Sequence, residues 1–387
     1  MLAGKAVKRR CAILGFRGPE GARSPTMERI YNFSAGPAVM PDTVLERARD
    51  EIMSLGGIGM SVMEISHRSK HFERVLHAAE QGIRDLLGVP QNYRILFLQG
   101  GATLQFEMVP MNFLADGKTA EYVVTGAWGE KALGEGKRCG DANLAYSTLE
   151  TGYRSIPSQE ELNFSPDAAY IHYTSNETIH GVEFKYDLDG HGVPVVCDAC
   201  SNILSKPIDV EKYAIIYAGA QKNIGPSGVT VVIIRDDMLD RVPANQFPML
   251  DYRAIVRNDS MLNTPNTWGI YMVSLVCDWL KDQGGLEAMK AKNEAKSAIL
   301  YDAIDSSDGF YRGHAERAAR SAMNVTFRLP SEELEKRFCE EATALGMDGL
   351  AGHRSVGGIR ASIYNAFPKE GVDRLVKFMS EFADRNG

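Results

Sequence analysis

Apolar positions along the chain fall into two patterns, helical repeats and short unbroken runs. A loop rich in turn formers, residues 31–41, ends at Pro41 and Asp42, a pair that opens a helix. Val44, Leu45, Ala48, Ile52 and Leu55 follow helical spacing until Gly56 and Gly57 stop the run. A second helix is predicted over 69–87, closed by Gly88-Val-Pro90. Short apolar runs then predict strands at 94–99, 121–125, 169–173, 193–197, 214–217 and 229–234. Helices are predicted at 104–114, broken or kinked near Pro110, and from about Trp128. Apolar strands separated by helices or loops imply an α/β unit whose mostly parallel sheet is covered on both faces. Residues 267–284 read as a strongly apolar helix and 286–306 as a long helix with a polar face. From about 310 a smaller α+β unit is predicted: strand 324–329, helix 331–345, strand 360–364, helix 370–384. The pattern divides the chain into a large domain at 42–285 and a small one made of 27–41 and 286–387.

Composition narrows the possibilities. A chain of 387 residues, 44% of them hydrophobic, buries a large core without disulfides or a structural metal. A net charge of −7 argues against a general nucleic-acid binder, and no apolar run approaches a membrane span. Six cysteines are scattered. Only Cys197 and Cys200 have C-x-x-C spacing, and without a second ligand pair no metal site is expected. Small buried thiols in a reducing cytoplasm fit better. Residues 1–26 carry Lys5, Lys8, Arg9, Arg10, Arg17 and Arg23 against Glu20 alone. The apolar part is too short for a signal peptide, so a disordered basic leader, or a true start at Met27, is expected, with an organelle leader as the alternative.

Candidate chemistry centres on residues 217–229, Tyr-Ala-Gly-Ala-Gln-Lys-Asn-Ile-Gly-Pro-Ser-Gly-Val. Lys222 lies between two apolar strands among small residues. Burying an ammonium is costly, so a lysine there suits Schiff-base chemistry better than packing; a surface turn is the plain alternative. Asp198 ends the strand 193–197, where open α/β sheets place ligand contacts, and suits a protonated ring nitrogen. Capping a turn is its ordinary role. The turn Gln99-Gly-Gly-Ala-Thr103 between a strand and a helix offers free N–H groups and a hydroxyl to a phosphate. His67-Arg68 and His353-Arg354 are either solvated faces or anion-binding pairs.

These segments, with Asn32-Phe-Ser-Ala-Gly-Pro37, Asn176-Glu-Thr178, Ile203 to Asp209, Ser260 to Thr264 and Gly358 to Asn365, resemble the phosphoserine aminotransferase family. That family is a class V branch of the pyridoxal-phosphate enzymes of fold type I. The likeness covers essentially everything after Met27. It implies a large cofactor-binding domain with a mostly parallel sheet and a smaller α+β C-terminal domain. It makes Lys222 the lysine bonded to pyridoxal 5'-phosphate and Asp198 the partner of the pyridine nitrogen. Trp128 would stack on the ring and Thr178 contact its oxygen. Ala102, Thr103 and Gln221 would hold the phosphate, with Asn263 and Thr264 supplied by a second subunit, so a homodimer with shared active sites is implied. Arg360 would take the substrate α-carboxylate. His67, Arg68, His353 and Arg354 would gather round the phosphate or the glutamate side chain, with Ser34 also at the substrate.

The implied reaction moves an amino group between L-glutamate and 3-phosphohydroxypyruvate, giving O-phospho-L-serine and 2-oxoglutarate in serine biosynthesis. A related phosphohydroxythreonine step in vitamin B6 synthesis is a further possibility. Thr103 departs from relatives that carry arginine there, which removes a local charge from the phosphate corner. Rival readings are a class V lyase, a desulfurase, which needs a cysteine on a mobile loop, or a non-catalytic binding protein.

Overall fold

The computed structural model describes residues 29–387, and the basic leader at 1–26 lies outside them. Seven strands form the main sheet. Their order is Tyr93–Leu98, Thr230–Arg235, Ile215–Gly219, Val195–Asp198, Ile171–Thr174, Thr119–Val124 and Asp141–Ser147. Only Thr230–Arg235 runs against its neighbours. The rest pair in parallel, with Asp198 beside Thr174 on one flank and Tyr217 on the other. Successive side chains alternate between two cores. Val195 and Cys197 pack with helices Asp42–Glu51, Lys70–Leu87 and Thr267–Asp282, while Val196 faces Gly101–Phe113 and Ala127–Cys139.

Most predicted elements are present within two or three residues of the expected ends. Helix Lys70–Leu87 begins at Ser69, whose hydroxyl accepts the Phe72 N–H, and ends at Gly88 in the left-handed conformation. Of the expected break or kink near Pro110, the break is not there: one helix runs from Gly101 to Phe113 with Pro110 inside its last turn. At that position the missing N–H removes a single bond close to an end that frays anyway. Strand Asp141–Ser147 was not predicted. It is the edge strand, much of it exposed, and has no apolar run.

A separate core unites Phe33 with Val325, Phe327, Phe338, Ile359, Leu375 and Phe382. Around it stand helices Gly285–Asp305, Glu332–Ala344 and Lys369–Asn386 and a three-stranded antiparallel sheet. In that sheet Asn324 lies opposite Ser362 and Thr326 opposite Arg360, placing four polar side chains on one face. Residues Tyr31–Asn32 pair with Met347–Asp348, which ties the N-terminal loop to the same unit. Cys139, Cys197, Cys200, Cys277 and Cys339 are all unpaired. No described helix is long and apolar enough to cross a membrane.

Candidate active site

The carboxyl ends of the parallel strands open onto a cavity of about 310 Å³. Lys222 enters it from the turn after Ile215–Gly219. Its Nζ donates to Thr178 Oγ1 at 2.6 Å and lies 6.0 Å from the centre of the Trp128 ring. The N-terminal loop supports the lysine stem. Ala38 N–H donates to the Gln221 carbonyl, and at Gly36, with φ +144°, an added Cβ would lie 3.4 Å from Lys222 Cγ. Glycine is needed there for the backbone conformation.

Asp198, the last residue of its strand, lines the same cavity and is buried. Its Oδ1 accepts the Cys200 N–H at 2.9 Å. Burial raises the carboxyl above its ordinary value, while bonds to Cys200 and the charge of Lys222 pull it back. Arg360 reaches in from the three-stranded sheet and lines the cavity together with His353. Burial lowers the Arg360 guanidinium, and its Nε has no hydrogen-bond partner. A partly buried cation without a carboxylate partner is costly to keep and fits an anionic ligand.

Glu177 was quoted in the sequence only as part of a motif, and the structure gives it a clear contact. It is fully buried; Oε2 accepts the Trp128 N–H at 3.1 Å and Oε1 the Gly129 N–H at 2.8 Å. These donors belong to the first turn of helix Ala127–Cys139, which has no partners of its own for them. A Cβ on Gly126 would fall 2.4 Å from Glu177 Cδ, so the approach requires glycine. Glu177 therefore fixes the helix start that carries Trp128. Nothing in the sequence separates such an acid from an exposed one in a hairpin.

Burial pushes Glu177 up to about 7, above its unfolded value. A raised carboxyl stabilises the fold at low pH and loses that contribution as pH rises through about 7. Glu177→Gln is accordingly expected to flatten this dependence. The melting temperature of the unaltered chain should fall relative to the variant between pH 5 and 7.5; a constant difference would count against the assignment.

Asn324 is the other residue missed. Its Oδ1 accepts from Asn176 Nδ2 at 2.8 Å, and its Nδ2 donates to Ser362 Oγ at 3.0 Å and Tyr364 Oη at 3.1 Å. Asn176 also bonds Ser201, which accepts from Thr178. One buried amide thus joins the Arg360 strand to the Thr178–Lys222 corner.

The expected residues fall into four groups. Ala102, Thr103, Trp128, Thr178, Asp198, Gln221, Lys222, His353 and Arg360 all line the cavity. Ser34 and Arg354 do not, although Ala35, Gly36 and His353 beside them do. Asn263 and Thr264 are exposed and outside it, and the Thr264 carbonyl accepts from Gln99 Nε2. His67 and Arg68 line a different cavity of about 240 Å³ with Arg94, Ser260 and Met261. No group of three or more acidic, cysteine or histidine side chains among the described residues has metal-binding geometry.

The residues of the large cavity suit pyridoxal phosphate on observations of this chain alone. A buried carboxylate without an ion-pair partner faces a space that also holds an amine, an indole ring and the start of a helix. A flat ligand with a basic ring nitrogen at one end and a phosphate at the other matches that set.

The sequence over residues 30–375 matches the family model described as aminotransferase class-V. The chain is 54% identical over 359 residues to a phosphoserine aminotransferase of Geobacillus kaustophilus, covering 93% of this chain and 99% of the other. The solved phosphoserine aminotransferase from Bacillus circulans subsp. alkalophilus superposes with a TM-score of 0.91 at 50% identity, over 93% of this chain and 99% of that one. A pyridoxal-phosphate-bound phosphoserine aminotransferase from Trichomonas vaginalis superposes at 0.86 with 42% identity, over 91% and 100%. By the family match over most of its length, and by the sheet, lysine turn and cavity it shares with the fold, the chain belongs to the class V aminotransferase family.

Proposed function

We propose that this protein is a pyridoxal-phosphate-dependent phosphoserine aminotransferase. It exchanges an amino group between L-glutamate and 3-phosphohydroxypyruvate. The observation that carries the reading is the convergence of Lys222, Asp198 and the unpaired Arg360 on one cavity, in a chain half identical to curated phosphoserine aminotransferases.

Bound in that cavity, pyridoxal phosphate supplies a carbonyl that takes up the amino group and a ring that draws electrons from the substrate's α-carbon. Asp198 holds a positively charged ring nitrogen. Trp128, which lines the cavity, would stack on the ring and shield it from water. Arg360 would bind the α-carboxylate common to both substrates and so hold the α-carbon in the cavity that Lys222 enters. The amine of Lys222, oriented by Thr178 Oγ1, takes that proton and holds it for return. His353 is placed to meet the distal anionic group. One set of residues serves both half-reactions, because the two amino acids share their α-carbon chemistry and differ only at the far end.

The same reading makes the protein a homodimer with shared sites. Asn263 and Thr264 are exposed and His67 and Arg68 line a different cavity with Met261, so a second copy would supply Asn263 and Thr264 to the first copy's cofactor phosphate and the His67-Arg68 pair would reach substrate only across such an interface. A single-chain mass in sedimentation would rule this out. It also assigns 42–285 to a cofactor-binding domain and 27–41 with 286–387 to a smaller one, supported by the separate core around Phe33 and Phe382. The unpaired cysteines suit the cytoplasm. A phosphorylated hydroxythreonine would offer the same anion and α-carbon, which supports the second role in vitamin B6 synthesis.

Initial rates test the function. Double-reciprocal lines at several fixed glutamate concentrations are expected to be parallel, since the first product leaves before the second substrate binds. Intersecting lines would contradict the shared-site account.

A further inference from the structure

We propose that Lys131 belongs to the phosphate corner of the cofactor cavity, acting through the Thr103 hydroxyl and supplying the charge that Thr103 itself lacks. This rests on the pyridoxal-phosphate reading and adds a residue to it. Thr103 lies in the first turn of helix Gly101–Phe113 and lines the cavity. Gly100 and Gly101 take φ of 87° and 66°, so the chain turns sharply there and aims free N–H groups at the space. No acid occupies that first turn. Neutral donors alone would then meet a dianion.

Lys131 comes from another helix, Ala127–Cys139, three residues after Trp128 and so on the same face. Its Nζ donates to Thr103 Oγ1 at 3.2 Å and sits 5.9 Å from the Trp128 ring and 5.8 Å from the Phe106 ring. No carboxylate among the described residues forms an ion pair with it. An exposed lysine normally extends its head into water. This one is laid across two aromatic rings and ends on a hydroxyl at the cavity wall.

The consequence is chemical. A hydroxyl oxygen that accepts from an ammonium directs its own hydrogen elsewhere and becomes a stronger donor. Thr103 Oγ1–H, polarised by Lys131, then donates to a phosphate oxygen, with the ammonium one atom behind it. The corner gains a positive charge without an arginine at position 103, and Trp128 and the charge are set by the same helix start that Glu177 holds.

Lys131→Met keeps the apolar stem and removes the charge. Dissociation constants would be measured on the cofactor-free full chain by quenching of tryptophan fluorescence, for pyridoxal phosphate, pyridoxal and inorganic phosphate. The variant is expected to bind pyridoxal phosphate and inorganic phosphate about five- to tenfold more weakly, with pyridoxal unchanged. Adding Thr103→Arg should restore the lost affinity. Equal affinity of the two chains for pyridoxal phosphate would overturn the proposal, as would an equal loss for pyridoxal, which would mean a disturbed helix start. Failure of the unaltered chain to bind pyridoxal phosphate would instead remove the cofactor reading on which it stands.

Discussion

Lys222→Ala is expected to lower turnover on the order of ten-thousandfold or more while leaving the fold intact, because in the proposed function one amine carries both covalent attachment and proton transfer. The side chain is only partly buried, its Nζ has a single hydrogen bond, to Thr178 Oγ1, and Gly36 rests on its stem. Removing it leaves no large void and at most one buried donor–acceptor pair undone. Stability should therefore change by about 1 kcal/mol, the scale of one such bond. Thr178 keeps its bond to Ser201 and remains in place. The check is turnover beside a thermal melt. A variant that keeps more than a hundredth of the rate would show that another group moves the proton.

The second large effect is at Arg360, and there activity and stability are expected to move in opposite directions. Arg360→Leu should reduce kcat/KM for glutamate and for the keto acid alike, by about a hundred- to a thousandfold, the usual consequence of losing a desolvated charge pair. In the ligand-free chain the same substitution removes a guanidinium that burial disfavours and whose Nε has no partner. Replacing an unpaired, partly buried charge by an apolar side chain is neutral or stabilising. The melting temperature without substrate should hold or rise. A loss confined to one substrate would move the shared carboxylate from Arg360 to another group. A lower melting temperature would mean that the guanidinium serves the fold.

How much of this was legible in the sequence depends on whether a local pattern carried it. Lys222 stood out because small residues and two apolar strands frame it, and Asp198 because it ends an apolar run. Each had an ordinary alternative, a surface turn or a turn cap, and the structure puts both on the cavity wall. Glu177 and Asn324 left no such mark. Their roles come from partners 48 and 148 residues away, Gly129 for the first and Asn176 for the second. Strand Asp141–Ser147 was missed because an edge strand need not be apolar. No break occurs at Pro110 because its cost falls in the last turn of the helix. His67, Arg68, Asn263 and Thr264, which the resemblance put at the site, lie outside the cavity that holds Lys222.

The proposed transamination is tested most directly by an absorbance spectrum of the purified protein with pyridoxal phosphate, read before glutamate, after it, and again after 3-phosphohydroxypyruvate. The prediction is a visible band that bleaches with glutamate, returns with the keto acid, and is missing in Lys222→Ala. A band that ignores glutamate would keep the cofactor and contradict the transamination, turning attention to a class V lyase. No band with added pyridoxal phosphate would contradict the account at its root.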